Sequence, residues 1–204
     1  MLNCIRPLRH AVREATVPER VAAITRAEIE ALIAEGVRYL QLDNPGYGRF
    51  VGSHGGHGSA VAGVTRPAGV TIGLHVCRGN QASMWMGEGD YDPIAERLFS
   101  SVAVDRFLLE YDDERAGGFG PLRYVPAGRT VVLGLVTSKS PVLEPGDELR
   151  RRVDSAAELV GLDHLALSPQ CGFASVAEGG NLLTEDEQFA KLRLVAQTAR
   201  AIWG

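Results

Sequence analysis

Apolar positions along this chain follow two alternating rhythms. Val21, Ile24, Ile29, Leu32 and Ile33 recur at the spacing of a helix that buries one side. Thr16, Pro18 and Glu19 stand before them as a capping box with an early proline, and Gly36 closes the stretch. The period then shortens. Residues 37–43 are strand-like and run into the breakers Asn44, Pro45 and Gly46, which leaves Asp43 at a strand's C-terminal end. Apolar runs at 70–76, 107–110, 130–136 and 164–167 repeat the pattern.

Helical stretches separate these runs. Asp92 and Pro93 open one whose buried side is Ile94, Leu98 and Phe99, and residues 147–160 form another, stopped by Gly161. The last starts at Thr184, where Glu187 completes a second capping box ahead of Phe189, Leu192, Val195, Ala199 and Ile202. Successive strand ends fall roughly 30 residues apart, the period of βα units joined into a parallel sheet. The expected class is therefore α/β, with five βα units and parallel strands. Residues 44–68 break the rhythm. They are glycine-rich, with Ser53-His54-Gly55-Gly56-His57-Gly58-Ser59 at their centre, and read as a mobile loop without a helix.

Composition narrows the partners. A chain of 204 residues, 45 % apolar, is long enough to bury one sizeable core. Its formal net charge of −4 provides no basic field for nucleic acid or an anionic membrane surface. No apolar run approaches the roughly 20 residues that cross a bilayer, and the opening residues lack the apolar stretch of a signal peptide, so the expected location is the cytoplasm. Three cysteines, Cys4, Cys77 and Cys171, are too few and odd in number for a secreted disulfide framework, which leaves reduced thiols, free or metal-bound.

The candidate chemistry sits at strand ends. His75 and Cys77 are alternate residues at the end of one strand, so both side chains can face one ion. Cys171 lies just past the last strand and before Gly172, where parallel α/β folds carry their active sites. Glu110 ends the strand between them. A carboxylate there is costly to desolvate unless a metal binds it or an arginine such as Arg78 or Arg115 answers it. His75, Cys77, Glu110 and Cys171 together offer one nitrogen, two sulfurs and one oxygen, a set suited to tetrahedral zinc and unsuited to magnesium or calcium. His54 and His57 in the glycine loop read as solvated surface. Asp112 to Arg115 read as a solvated rim that could also support Glu110.

At these residues the chain resembles the cobalamin-independent methionine synthase superfamily. The resemblance is carried by Tyr39-Leu-Gln-Leu-Asp43-Asn-Pro45, His75-Val-Cys77-Arg-Gly79-Asn80, Leu133-Gly-Leu-Val136 running into Lys139-Ser-Pro141, and Ser168-Pro-Gln-Cys171-Gly172. It covers residues 19–204, leaving 1–18 as a divergent N-terminal segment. It implies a TIM-type (β/α)₈ barrel in which a histidine, two cysteines and a glutamate hold Zn2+, here His75, Cys77, Cys171 and Glu110. Asp43 matches the aspartate that binds the amino group of homocysteine. The implied activity is transfer of a methyl group from a donor to a zinc-activated small-molecule thiol, homocysteine to methionine. The short single-barrel branch, which includes epoxyalkane:coenzyme M transferase, implies alkyl transfer to coenzyme M or another small thiol as the alternative.

Two departures qualify what the resemblance implies. Folate-using members carry an Asp-x-His where this chain reads Thr137-Ser138-Lys139, and a lysine does not reproduce an imidazole that titrates near pH 7. Five strands are visible where a barrel needs eight. The expectation is an incomplete barrel of C-terminal βα units, completed by a homodimer or by a separately encoded N-terminal half, or else an inactive truncated zinc-binding remnant.

Overall fold

The fold is described from a computed structural model, over residues 17–43, 60–175 and 180–204. Five strands build one parallel sheet: β1 (Tyr39–Asp43), β2 (Thr71–Val76), β5 (Arg106–Glu110), β6 (Thr130–Val136) and β7 (Leu165–Pro169). Their order in space is their order in sequence, and every pairing is parallel. The two remaining strands, β3 (Asn80–Gln81) and β4 (Met84–Trp85), form a small antiparallel hairpin directly after the His75-Val76-Cys77 segment. Among the described residues the longer helices are α1 (Val17–Ala34), α2 (Ala95–Ser101), α3 (Gly146–Val160) and α4 (Glu185–Trp203).

Alternation along the strands sets which residues meet the helices. Ile72, Leu74 and Val76 of β2, Phe107 and Leu109 of β5, and Val131, Leu133 and Leu135 of β6 are buried and form one core with Ile29, Ile33, Leu98, Phe99, Leu149 and Val153 from the helices. Phe107 meets Phe99 edge to face with ring centroids 4.9 Å apart, and each such buried aromatic contributes about 2–3 kcal/mol from area alone. The intervening positions, Gln41, Asp43, Gly73, His75, Leu108, Glu110, Gly134 and Ser168, share the other face. That face carries the candidate chemistry.

The sheet does not close on itself. Among the described residues five of a barrel's eight strands are present, as the five apolar runs predicted, and β1 and β7 end the sheet. The helix ends follow the sequence signals as well. Thr184 Oγ1 accepts from the Glu187 backbone N–H, and the Glu187 carboxylate accepts from the Thr184 N–H at 2.7 Å, which completes the second capping box. Thr16, part of the first, lies outside the described residues, as do Cys4, His54 and His57. The glycine-rich segment does not lack helix throughout: Ala60 and Val61 are helical and buried, and Val61 joins the core that holds Ile29. Two small apolar residues after a run of glycines are too short a stretch for a periodic pattern to reveal.

Candidate metal centre

Three strand ends converge on one point. β2 ends at Val76, and the register pairs its His75 with Asp43 of β1, so imidazole and carboxylate are neighbours across the parallel ladder. Cys77 follows one residue beyond the strand and is buried. Cys171 follows β7 by two residues and is partly exposed. The donor atoms of His75, Cys77 and Cys171 all lie within 4.8 Å of one another. Around a tetrahedral zinc, with Zn–S of about 2.3 Å and Zn–N of about 2.0–2.1 Å, such donors stand roughly 3.5–3.8 Å apart, so small side-chain rotations fit this trio to the ion. His75 Nε2 is buried and has no hydrogen-bond partner of ordinary geometry, a condition that metal ligation would relieve.

The electrostatics fit the same reading. A hydrogen bond from Cys77 holds the Cys171 thiol far below its ordinary range, at about 4, with His75 adding to the effect against the opposing pull of burial. Cys77 is pushed the other way by the same hydrogen bond and by burial, so the pair keeps one proton and carries one thiolate. Burial alone would lower the pKa of His75, but Cys171 and then Asp43 outweigh it and leave it raised. Asp43 Oδ1 lies 3.7 Å from His75 Nε2, and the aspartate side chain is 61 % exposed.

Glu110, the fourth expected ligand, stands beside this trio and not within it. Its side chain is buried, and both oxygens are engaged. Oε1 accepts from Arg115 Nη2 at 2.9 Å and from Lys139 Nζ at 3.2 Å, and Oε2 accepts from the backbone N–H of Arg78. Burial pushes the carboxyl pKa up, and Lys139 pulls against it. Freeing Glu110 would leave two buried cationic donors without this acceptor, at a cost of about 1–3 kcal/mol each, and would release the Arg78 N–H as well.

Of the residues from Asp112 to Arg115, read from the sequence as a solvated rim, only Glu114 is exposed. Asp112 is fully buried and accepts from Lys139 Nζ at 2.5 Å, while Arg115, also buried, grips both oxygens of Asp113 at 2.9 Å and stacks on Trp85 with its guanidinium carbon 4.1 Å from the ring centroid. A charged quartet on a loop normally favours water. Here Glu110 and Lys139 supply opposite charges from below, which sequence spacing does not reveal.

Further polar side chains tie the strand ends together. Tyr91 Oη donates to Val76 O at 3.0 Å, and Asn80 Nδ2 donates to Ser138 Oγ at 3.3 Å. Ser138 Oγ in turn donates to Gln170 Oε1 at 2.5 Å, next to Cys171. The β3–β4 hairpin is bound to the segment after Cys171: the Ala82 N–H donates to Ser175 Oγ at 2.8 Å, and the Leu182 N–H donates to Ser83 Oγ at 2.9 Å. The Cys77 and Cys171 ends of the site are thus linked by hydrogen bonds. Asn80, Ser138 and Gln170 fall inside or beside the motifs that carry the resemblance, but only packing shows them bonded to one another.

A parallel sheet that gathers imidazole and thiol donors at the carboxyl ends of its strands is a TIM-barrel-type arrangement with a candidate metal site. The chain belongs to the cobalamin-independent synthase, catalytic domain family, whose model matches residues 2–200. It is 43 % identical over 202 residues to the uncharacterized protein YxjG of Bacillus subtilis, covering 90 % of this chain and 53 % of that one. It is 25 % identical over 191 residues to the methionine synthase of Methanothermobacter marburgensis, covering 92 % of this chain and 54 % of that one.

Among solved structures, a Listeria monocytogenes protein assigned provisionally as a vitamin-B12-independent methionine synthase superimposes with a TM-score of 0.68 at 36 % identity, covering 90 % of this chain and 54 % of that one. A B12-independent methionine synthase from a Shewanella species, in complex with selenomethionine, superimposes with a TM-score of 0.71 at 19 % identity, covering 89 % of this chain and 53 % of that one, and shares the fold. This chain spans about half the length of these relatives. Among the described residues no helix is long and apolar enough to cross a membrane.

Proposed function

We propose that this chain carries the zinc-binding part of a thiol methyltransferase site, which transfers a methyl group to the sulfur of homocysteine. The observation that carries the reading is the convergence of His75, Cys77 and Cys171 within 4.8 Å at the end of a parallel sheet. These three residues would hold Zn2+. The bound ion would supply a Lewis acid at which a thiol loses its proton near neutral pH.

The chain's own residues do the rest. Asp43, 3.7 Å from His75 and largely exposed, would bind a substrate ammonium and so orient an amino-acid thiol. Burial of His75 and Cys77 keeps water from the donor side of the site. Lys139 occupies the region where folate-using members carry a histidine, but it is held in ion pairs with Glu110 and Asp112 and is not placed to protonate a departing amine. That favours a methyl donor whose leaving group departs without needing a proton, such as a methylcorrinoid, over methylfolate.

The test is an S-methylation assay on the zinc-loaded chain, with homocysteine as acceptor and methylcobalamin and methylfolate as donors. Methionine is the expected product, with methylcobalamin the better donor. No product from either donor, with zinc bound one to one, would overturn the reading.

A further inference from the structure

Trp85 sits on the β3–β4 hairpin, which starts at Asn80, shortly after Cys77. Its pairing partner across the hairpin is Asn80, so the two side chains share one face. Asn80 Nδ2 donates to Ser138 Oγ at 3.3 Å and Trp85 lies on Arg115, so that face is turned toward the strand ends where the metal centre lies. Gln81 and Met84 take the opposite face. One side of the indole is covered by the buried Arg115, whose guanidinium carbon is 4.1 Å from the ring centroid, yet Trp85 is 56 % exposed. The open area is therefore the other side of the ring, at the mouth of the site.

Two properties of this ring define what it can take. It is held rigidly, because Arg115 is fixed by Glu110, Asp113 and Gly87 O, and the hairpin by Ser175 and Leu182. An aromatic surface that is already ordered takes a flat ligand at little entropic cost. The guanidinium also draws on the electron density of the indole. The free side is thus a poor place for a second cation and a good one for an uncharged conjugated ring.

From this geometry we infer that Trp85 is the stacking residue of the donor subsite and that its free side takes the corrin ring of a methylcorrinoid. The inference rests on the proposed function and deepens it. A sulfonium donor is disfavoured by its charge, and a methylfolate by the lack of a group placed to protonate its amine. In the transfer the thiolate sulfur supplies the electron pair of the new S–C bond, and the Co–C bond breaks with its pair left on cobalt as Co(I). No proton enters the leaving group.

The test needs neither metal nor turnover. Trp203→Phe leaves Trp85 as the one tryptophan, and methylcobalamin is titrated into this metal-free chain. Trp85 emission is expected to be quenched saturably, because the corrin lies against the indole. Trp85→Leu should weaken methylcobalamin binding, read by calorimetry, by about 5–50-fold, whereas Trp85→Phe, which keeps an aromatic face, stays within about threefold. Zinc affinity of Trp85→Leu should be unchanged, since Arg115 keeps its other anchors. The quenching measurement retains Trp85, so it decides even where Trp85→Leu folds poorly.

The inference is overturned if quenching does not saturate, if Trp85→Leu binds methylcobalamin as tightly as the unaltered chain, or if methylfolate quenches Trp85 equally. If Trp85→Leu makes methionine from methylcobalamin at an unchanged KM, the inference fails and the proposed function stands. If neither donor yields methionine with zinc bound one to one, the proposed function itself fails, whatever binds at Trp85.

Discussion

Asp43 and His75 are register partners across two parallel strands, and their side chains meet with Oδ1 3.7 Å from Nε2. The pairing sets a carboxylate of one strand against the buried imidazole of the next while most of the carboxylate faces solvent. A group so placed can touch a substrate without belonging to the metal shell. Asp43→Asn is therefore expected to leave zinc affinity nearly unchanged. It should weaken homocysteine binding by about 10–100-fold, the scale of a hydrogen bond to a charged group. A thiol lacking the amino group should bind both forms equally, and titration of the cobalt-loaded site with each thiol checks this.

Cys171 and Cys77 are hydrogen-bonded and share one proton, so they are expected to differ in reactivity. With its pKa lowered to about 4, Cys171 is a thiolate at every pH above that value, and Cys77 stays protonated. In the metal-free chain, carboxymethylation of Cys171 is expected to be flat from about pH 6 to about 8, whereas an ordinary thiol of pKa near 8.5 gains about tenfold per pH unit there. Zinc should protect Cys171. Peptide mapping of the alkylated site reads both outcomes.

Gly134 has no room for a side chain. A Cβ there would come within 2.8 Å of Gln170 Cα and 2.9 Å of Leu109 O, both backbone atoms that cannot swing aside. Gly134→Ala should destabilise the chain by about 1–3 kcal/mol and weaken zinc binding, because relief pushes the Gln170-Cys171 segment away from His75. Denaturant midpoints and chelator competition measure the two effects separately.

The β3–β4 hairpin turns through Ala82 and Ser83, with φ of 51° and 64°. Neither is glycine or asparagine, the residues that two-residue turns with positive φ favour. Ala82→Gly is expected to raise stability by about 0.5–1 kcal/mol, since strain in the left-handed region outweighs the added freedom of the unfolded chain. The bond from residue 82 N–H to Ser175 should persist. A urea melt showing no gain, or a loss, would contradict the strain assigned to this turn.

Much of the scaffold was legible in the primary structure because strands and helices here keep their ordinary periods. Residues 130–136 were bounded correctly from apolar content alone, and the Thr184–Glu187 box marked the start of the last helix. The hairpin at 80–85 was not legible. Its strands are two residues each, too short for alternation, and its turn places Ala82 and Ser83 at positive φ without the glycine or asparagine that would announce it. Asp112 and Lys139 were equally hidden, since two residues 27 apart meet only when β5 and β6 lie side by side.

What the amino-acid order determined by itself is a run of parallel βα units that ends His75, Cys77, Glu110 and Cys171 at one edge of a sheet, because strand direction and side-chain alternation are local properties of the chain. Tertiary structure decided how those four residues divide. His75, Cys77 and Cys171 face one another. Glu110 turns to Arg115, Lys139 and the Arg78 N–H, because a buried carboxylate goes where its charge and lone pairs are best answered, and that depends on which side chains the neighbouring strands and loops bring within reach.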